Sequence, residues 1–295
     1  ESSVRRCNSK NIFFFLNAKK KLIQYLKDLR PDCLICVDYP GLNFSMMKAA
    51  HKLGIPVVWY IAPMVWAWKK KRAAVLGKYA SHICCLFPFE VQYFKPYTSK
   101  VSFVGNPLVE AIERETVSLK NKKTFQIAIV PGSRQQEIEK LLLPMVGAVD
   151  KIIKQFPHLS ARVSYCKHLD RSCFSGAVQG TGIELYEGSL RQLLRESDLA
   201  IVTSGTATLE AALLGVPMVV AYKTAYINYL IFKSFIQIPY ISLPNIIAGK
   251  KIIPECIQDD VTVEALAEEL SKYISDKSYY TFTKENLNAL REQLG

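Results

Sequence analysis

No stretch of this 295-residue chain is apolar for long enough to cross a bilayer as a helix, because the two longest low-charge runs, residues 55–68 and 199–222, are interrupted by prolines or glycines. Histidine is scarce. His51, His82, His158 and His168 share no metal-ligand spacing, so none is a candidate ligand. Zinc-finger spacing, RNP motifs and basic-zipper patterns are all missing, which removes the common nucleic-acid readers, and no repeat recurs at solenoid period. The eight cysteines (Cys7, Cys33, Cys36, Cys84, Cys85, Cys166, Cys173 and Cys256) lack a secreted-style framework, so a reducing cytosol and ordinary core cysteines are expected. Cys33 and Cys36 match a redox spacing, but strand alternation sends positions three apart to opposite faces.

What is present is positive charge and a large apolar content. Lys plus Arg number 38 against 26 Asp plus Glu, a formal charge of +12, and 49% of residues are hydrophobic. A chain of this length and composition buries a sizeable core and is expected to form about two domains. The basic residues gather in runs such as Lys19-Lys20-Lys21 and Lys69-Lys70-Lys71-Arg72, beside aromatic or apolar segments. An anionic membrane face or a phosphorylated substrate fits that pattern better than nucleic acid.

Apolar periodicity predicts alternating strands and helices. A helix through Leu16, Leu22, Tyr25, Leu26 and Leu29 stops at Pro31, and a strand over 33–37 follows. Then come a helix over 43–53, a strand over 56–61, a basic helix over 69–79, a strand over 82–87, a helical turn over 89–94 and a short strand over 101–104. The charged stretch 113–123 reads as a linker. Beyond it lie a strand over 125–130, a long helix over 135–156, a strand over 161–165, a short helix over 190–196 and a strand ending at Thr203. Terminal helices are predicted over 261–274 and 284–294. The fold class is α/β, with two Rossmann-like parallel-sheet domains in tandem, residues 1–112 and 113–260, followed by terminal helices over 261–295 and facing a shared cleft.

The most informative stretch is Ser204-Gly205-Thr206-Ala207-Thr208-Leu209-Glu210. It follows the buried-type strand 198–203, and Gly215 can stop the helix it opens. Free N–H groups and the positive end of the helix dipole at Ser204, Gly205 and Thr206 would face an anion. Glu210 lies where a carboxylate can receive vicinal ribose hydroxyls, its alternative being a surface carboxylate near a helix start. Pro131-Gly132-Ser133-Arg134 repeats the arrangement. Gly132 permits the turn, Ser133 can cap the helix and Arg134 puts a cation at its mouth; the alternative is a plain turn with a solvated arginine. Asp38 ends an apolar strand, so it is either a general base with a desolvated carboxyl or a turn aspartate capping the helix near Asn43. Residues 61–68 form an aromatic loop in which Trp66 and Trp68, followed by Lys69 and Arg72, suit an amphiphilic phosphosugar or simply pack a core. Phe13, Phe14 and Phe15, flanked by lysines, read either as a buried helix start or as an interfacial patch for acyl chains.

Val37-Asp38-Tyr39-Pro40-Gly41-Leu42-Asn43, Val65-Trp66-Ala67-Trp68, Leu86-Phe87-Pro88-Phe89-Glu90, Val104-Gly105-Asn106-Pro107-Leu108, Pro131 to Arg134, residues 204–210 and Leu243-Pro244-Asn245 together resemble the lipid A disaccharide synthase family. The resemblance runs from about Pro31 to Glu255. It implies a GT-B glycosyltransferase, inverting and without metal or other cofactor, that joins UDP-2,3-diacylglucosamine to 2,3-diacylglucosamine 1-phosphate and releases UDP. It also implies an essential carboxylate at Asp38, the Gly-Ser-Arg cation at Arg134, the nucleotide-site glutamate at Glu210 and the Leu-Pro-Asn amide at Asn245, the last counted with Gly132, Ser133, Arg134, Ser204, Gly205, Thr206 and Glu210 among the nucleotide-binding residues. A cytoplasmic enzyme on the inner face of the bacterial inner membrane would follow, with an oligomer compatible. Asn106, Leu42 and Lys69 depart from the family's usual His, Phe and Arg. The chain begins at Glu1, and the family's first strand and Gly-rich loop have no counterpart before Pro31, so an incomplete N-terminal domain is expected. The competing readings are a UDP-sugar epimerase on the same plan and a non-catalytic protein that binds anionic lipid.

Overall fold

The computed structural model describes residues 9–115, 124–225 and 239–295, with the side chains of 9–15 left out. Two compact units divide at Asn106 and Pro107.

The first unit runs α1 (Ser9–Leu29), β1 (Leu34–Val37), α2 (Pro40–Lys52), β2 (Val57–Tyr60), α3 (Lys71–Tyr79), β3 (His82–Cys85), a 3₁₀ turn (Pro88–Glu90), α4 (Val91–Phe94) and β4 (Val101–Phe103). Its strands form a parallel sheet in the order β1-β2-β3-β4. Alternation along β2 and β3 buries Val57, Trp59, Ile83 and Cys85 against Met47, Leu76 and Phe94. The edge strand β1 buries only Cys36 and leaves Ile35 and Val37 exposed. Cysteines are not uniformly core residues: Cys36, Cys85 and Cys256 are buried, but Cys33 and Cys173 are exposed, and Cys7 lies outside the described residues.

The second unit runs α5 (Pro107–Arg114), β5 (Phe125–Val130), α6 (Gln135–Gln155), β6 (Leu159–Ser164), α7 (Arg171–Val178), β7 (Ile183–Tyr186), α8 (Leu190–Arg195), β8 (Leu199–Thr203), α9 (Thr206–Leu213), β9 (Met218–Tyr222), α10 (Leu243–Ala248), β10 (Glu255–Ile257), α11 (Val263–Ser275) and α12 (Lys277–Leu294). All pairings are parallel, in the order β10-β9-β8-β5-β6-β7. Every residue of β8 is buried, as expected for a central parallel strand covered on both faces. Along α6, Ile138, Leu141, Leu142, Met145, Val149 and Ile152 recur at helical spacing and fill one side of this core.

Several element boundaries differ from the sequence-based expectation for local reasons. The helix after β1 starts at Pro40 and not near Asn43, because proline suits a first helical turn. The last helix starts at Lys277, seven residues before the predicted start, since the Asp276 side chain accepts from the N–H groups of Ser278 and Tyr279. Glu113 and Glu115, at the start of the stretch read as a linker, are tied into the second unit by Arg291 at 3.0 Å and Arg191 at 2.6 Å.

Close packing decides one position in the first unit. A Cβ on Gly77 of α3 would lie 2.7 Å from the Tyr97 Cβ and 2.9 Å from its carbonyl oxygen. Alanine gains roughly 1 kcal/mol of helix propensity, but overpacking against backbone costs about 1–3 kcal/mol. Gly77→Ala is therefore expected to be net destabilising, read as a lower midpoint in urea denaturation.

Candidate donor site and acceptor loop

In the second sheet the strand order reverses between β5 and β8: β6 and β7 lie to one side, β9 and β10 to the other. Such a switch point leaves a crevice at the carboxyl ends of the strands, because the two following connections run to opposite faces. The register pairs Val130 with Val202, so the turns after β5 and β8 emerge side by side. A cavity of about 350 Å³ opens there, lined by Gly132, Ser133, Arg134, Ser204, Gly205, Thr206 and Glu210 and also by Glu137, Tyr165 and Leu190. Seven of the eight candidate nucleotide residues thus come together from two segments about seventy positions apart.

The two turns differ in what they offer. Gly205, at φ 155° and ψ −161°, occupies backbone space open only to glycine, and this presents the start of α9 to the cavity. The N–H groups of Gly205, Thr206 and Ala207 have no partner within the described residues, while Thr208 closes the turn by bonding the Gly205 carbonyl at 2.7 Å. At the other turn the Ser133 and Arg134 donors are already taken. The Glu137 carboxylate accepts from the Ser133 N–H at 3.1 Å, the Arg134 N–H at 3.2 Å and the Arg134 Nη1 at 2.8 Å. Glu137, and not Ser133, closes the start of α6, so Arg134 is tethered at one guanidinium nitrogen while remaining largely exposed. Gly132, at φ 115°, makes room for that clasp, since a Cβ would sit 2.4 Å from Glu137 Oε2. Glu137, at the third helical position, makes the half of a capping box that reaches back to the N-cap N–H, while Arg134 has no acceptor to make the other half, so the usual sequence signature is missing here.

Glu210 is mostly buried, and its Oε1 accepts from Arg191 Nε at 2.8 Å. Arg191 has no motif to announce it, lying nineteen residues earlier on α8. Asn245 belongs elsewhere, contrary to the expectation of a nucleotide contact: it is fully buried. Its Nδ2 donates to the Ile253 carbonyl at 3.0 Å and to Glu255 Oε1 at 2.8 Å, and its Oδ1 accepts from the N–H groups of Ile252 and Ile253. Both amide hydrogens and both lone pairs are used, which leaves nothing for a ligand. Asn245 instead fixes the segment whose Ile241 carbonyl accepts from Ser204 Oγ at 3.1 Å.

In the first unit, Asp38 and Tyr39 both adopt positive φ, 42° and 38°, just beyond β1. Consecutive non-glycine residues in that region are strained, and such strain clusters at functional sites. The turn is held by Asn43 Nδ2, which donates to the carbonyls of Val37 at 3.0 Å and Asp38 at 2.7 Å. No side chain caps α2, so the helix-capping alternative for Asp38 falls away. Its carboxylate is exposed, and burial within this unit does not supply the desolvation expected of it.

The aromatic loop divides into an inner and an outer part. Trp66, expected to face acceptor or lipid, is buried and donates from Nε1 to Glu90 Oε1 at 3.0 Å. Trp68 is 44% exposed, with Lys69 Nζ 4.5 Å and the Arg72 guanidinium 5.1 Å from its ring. Cation–π contact thus keeps two cations beside one exposed apolar surface. Phe13, Phe14 and Phe15 lie in the first turns of α1, and their side chains fall outside the described residues. Among the described residues no group of three or more His, Cys, Asp and Glu side chains could hold a metal ion, and no helix is long and apolar enough to cross a membrane.

Glu90 is 2% exposed and anchors this loop, its Oε2 accepting from the N–H groups of Leu86 and Phe87 at 3.1 Å. Burial pushes its carboxyl up to about 7, against the opposing pull of those bonds. Between the ordinary glutamate value and about 7 the folded protein keeps a proton that the unfolded chain releases. Stability therefore falls as pH rises through that window. Thermal unfolding midpoints from pH 5 to pH 8 are expected to decline for the parent chain and to flatten for Glu90→Gln.

The sequence of residues 9–294 matches the family described as Lipid-A-disaccharide synthetase. The lipid-A-disaccharide synthase of Myxococcus xanthus (strain DK1622) is 33% identical over 267 residues, covering 87% of this chain and 70% of that protein. Its counterpart in Syntrophus aciditrophicus (strain SB) is 32% identical over 296 residues, covering 97% and 76%. Among solved structures, UDP-GlcNAc 2-epimerase from Neisseria meningitidis bound to UDP-GlcNAc superposes with a TM-score of 0.66 at 14% identity, over 95% of this chain and 78% of that one. That likeness is one of fold alone, the two-domain GT-B plan shared by glycosyltransferases and these epimerases. Sequence separates the two readings that fold leaves together, and the chain belongs to the lipid-A-disaccharide synthetase family.

Proposed function

We propose that this chain transfers 2,3-diacylglucosamine from UDP-2,3-diacylglucosamine to 2,3-diacylglucosamine 1-phosphate, giving the lipid A disaccharide 1-phosphate and UDP. The observation that carries the reading is the cavity at the β5–β8 switch point, where unpaired backbone donors, an arginine and a carboxylate converge. That set matches a nucleoside diphosphate: Gly205, Thr206 and Ala207 offer N–H groups to the diphosphate, Arg134 offers a cation, and Glu210 offers an acceptor to ribose hydroxyls.

One base suffices for an inverting transfer. Asp38 takes the proton of the acceptor hydroxyl as its oxygen bonds to the anomeric carbon, and the bond from that carbon to the diphosphate breaks with both electrons passing to UDP. The leaving diphosphate gains charge in the transition state, and the α9 donors with Arg134 are aimed at it beforehand. Trp68, Lys69 and Arg72 present an apolar face and cations to the phosphorylated, acylated acceptor. Peripheral attachment to an anionic membrane face fits α1 and α2, where Lys19, Lys27, Lys48 and Lys52 ring a groove of about 470 Å³ floored by Ile23, Ala49 and Leu53.

Incubating the protein with both substrates is expected to yield the disaccharide 1-phosphate and UDP in equal amounts; UDP without disaccharide would contradict the transfer. Asp38→Ala is expected to reduce turnover at least 100-fold with UDP affinity unchanged, since general-base catalysis contributes about 10²–10⁴. Glu210→Ala is expected to weaken UDP binding about tenfold, the scale of one hydrogen bond to a charged group. Calorimetric titration of UDP into each variant separates the two roles.

A further inference from the structure

Glu210 does not stand alone at the cavity edge. Arg191 Nε donates to Glu210 Oε1 at 2.8 Å, and Arg191 Nη1 donates to Glu115 Oε1 at 2.6 Å. Arg195, one helical turn on, places Nη2 3.8 Å from Glu115 Oε2 and also donates from Nη2 to the Ile112 carbonyl. Leu193 and Leu194 are buried beneath α8, so the helix is anchored and its two arginines project from one face. The side chains of Arg191 and Glu210 are only 22% and 15% exposed, which makes the pair far less screened than a surface salt bridge.

We infer that Arg191 is a positioning residue for the donor: braced by Glu115, it holds Glu210 by one oxygen and leaves Oε2 to receive a ribose hydroxyl. The inference rests on the reading of Glu210 as the ribose acceptor. A free glutamate side chain on α9 samples several rotamers, and binding a hydroxyl then costs the entropy of fixing it. The Arg191 bond fixes it in advance. It also leaves Oε2 without a partner among the described residues, so the carboxylate receives the ribose through that atom.

The test compares UDP with 2′-deoxy-UDP and 3′-deoxy-UDP by calorimetric titration. The parent chain is expected to bind UDP about tenfold more tightly than at least one deoxy analogue. Arg191→Gln is expected to shrink that ratio to about twofold by weakening UDP while leaving the deoxy analogue nearly unchanged, and Arg191→Lys to restore part of it. An equal loss for UDP and the deoxy analogues in Arg191→Gln, with the ratio kept, would overturn the inference and leave the Glu210 reading standing. A parent chain that does not discriminate at all would sink the Glu210 reading and this inference with it. Should Arg191→Gln fail to fold, Glu115→Gln weakens the brace on Arg191, together with the Glu115–Arg195 contact, and leaves the Arg191–Glu210 bond itself in place, and an undiminished ratio in that variant overturns the inference as well.

Discussion

The parallel pairing of β5 with β8 is the constraint on which the donor site depends. It joins strands from the two halves of the second unit at the point where their order reverses, and it sets Val130 against Val202. A shift of this register would carry one turn away from the other and dissolve the cavity. The pairing is secured by burial: Ile127, Ile129, Leu199 and Ile201 are all shut off from solvent, in a core that α6 and α11 also fill. Hydrophobic packing thus does the positioning, and the polar groups at the rim inherit their placement from it.

At that rim the cavity is organised by paired charges. Glu137 holds Arg134 and the turn beneath it, and Arg191 holds Glu210 with Glu115 behind. Each carboxylate near the cavity has a guanidinium partner, so the pocket is not left with an uncompensated negative charge that would repel a diphosphate. Against this background the N–H groups at the start of α9, without a partner among the described residues, are open positions for an anion. The net charge of +12 acts at longer range, favouring the approach of phosphorylated substrates.

Much of this was readable from residue order because the governing signals are local. A continuous apolar strand, small residues, then a helix with one carboxylate is sufficient to place Ser204 to Glu210 at a strand end, and Gly132 to Arg134 follow by the same pattern. Elements with weak periodicity escaped: α7 is half polar and β7 is a short outer strand with one buried residue. Long-range partners escaped too. Nothing in the order of residues announces that Arg191 meets Glu210 or that Trp66 turns inward to Glu90, since tertiary packing decides both. Asn245 joins them: the resemblance makes it a nucleotide contact, while its hydrogen bonds are spent entirely inside the protein, which only the tertiary structure shows.

The central claim is that the β5–β8 cavity seats the nucleotide of the donor. A crystal structure with UDP bound tests it most directly. The account predicts the diphosphate against the N–H groups of Gly205, Thr206 and Ala207 with Arg134 beside it, and a ribose hydroxyl on Glu210. UDP found with its diphosphate away from the start of α9, or with its ribose turned from Glu210, would contradict it.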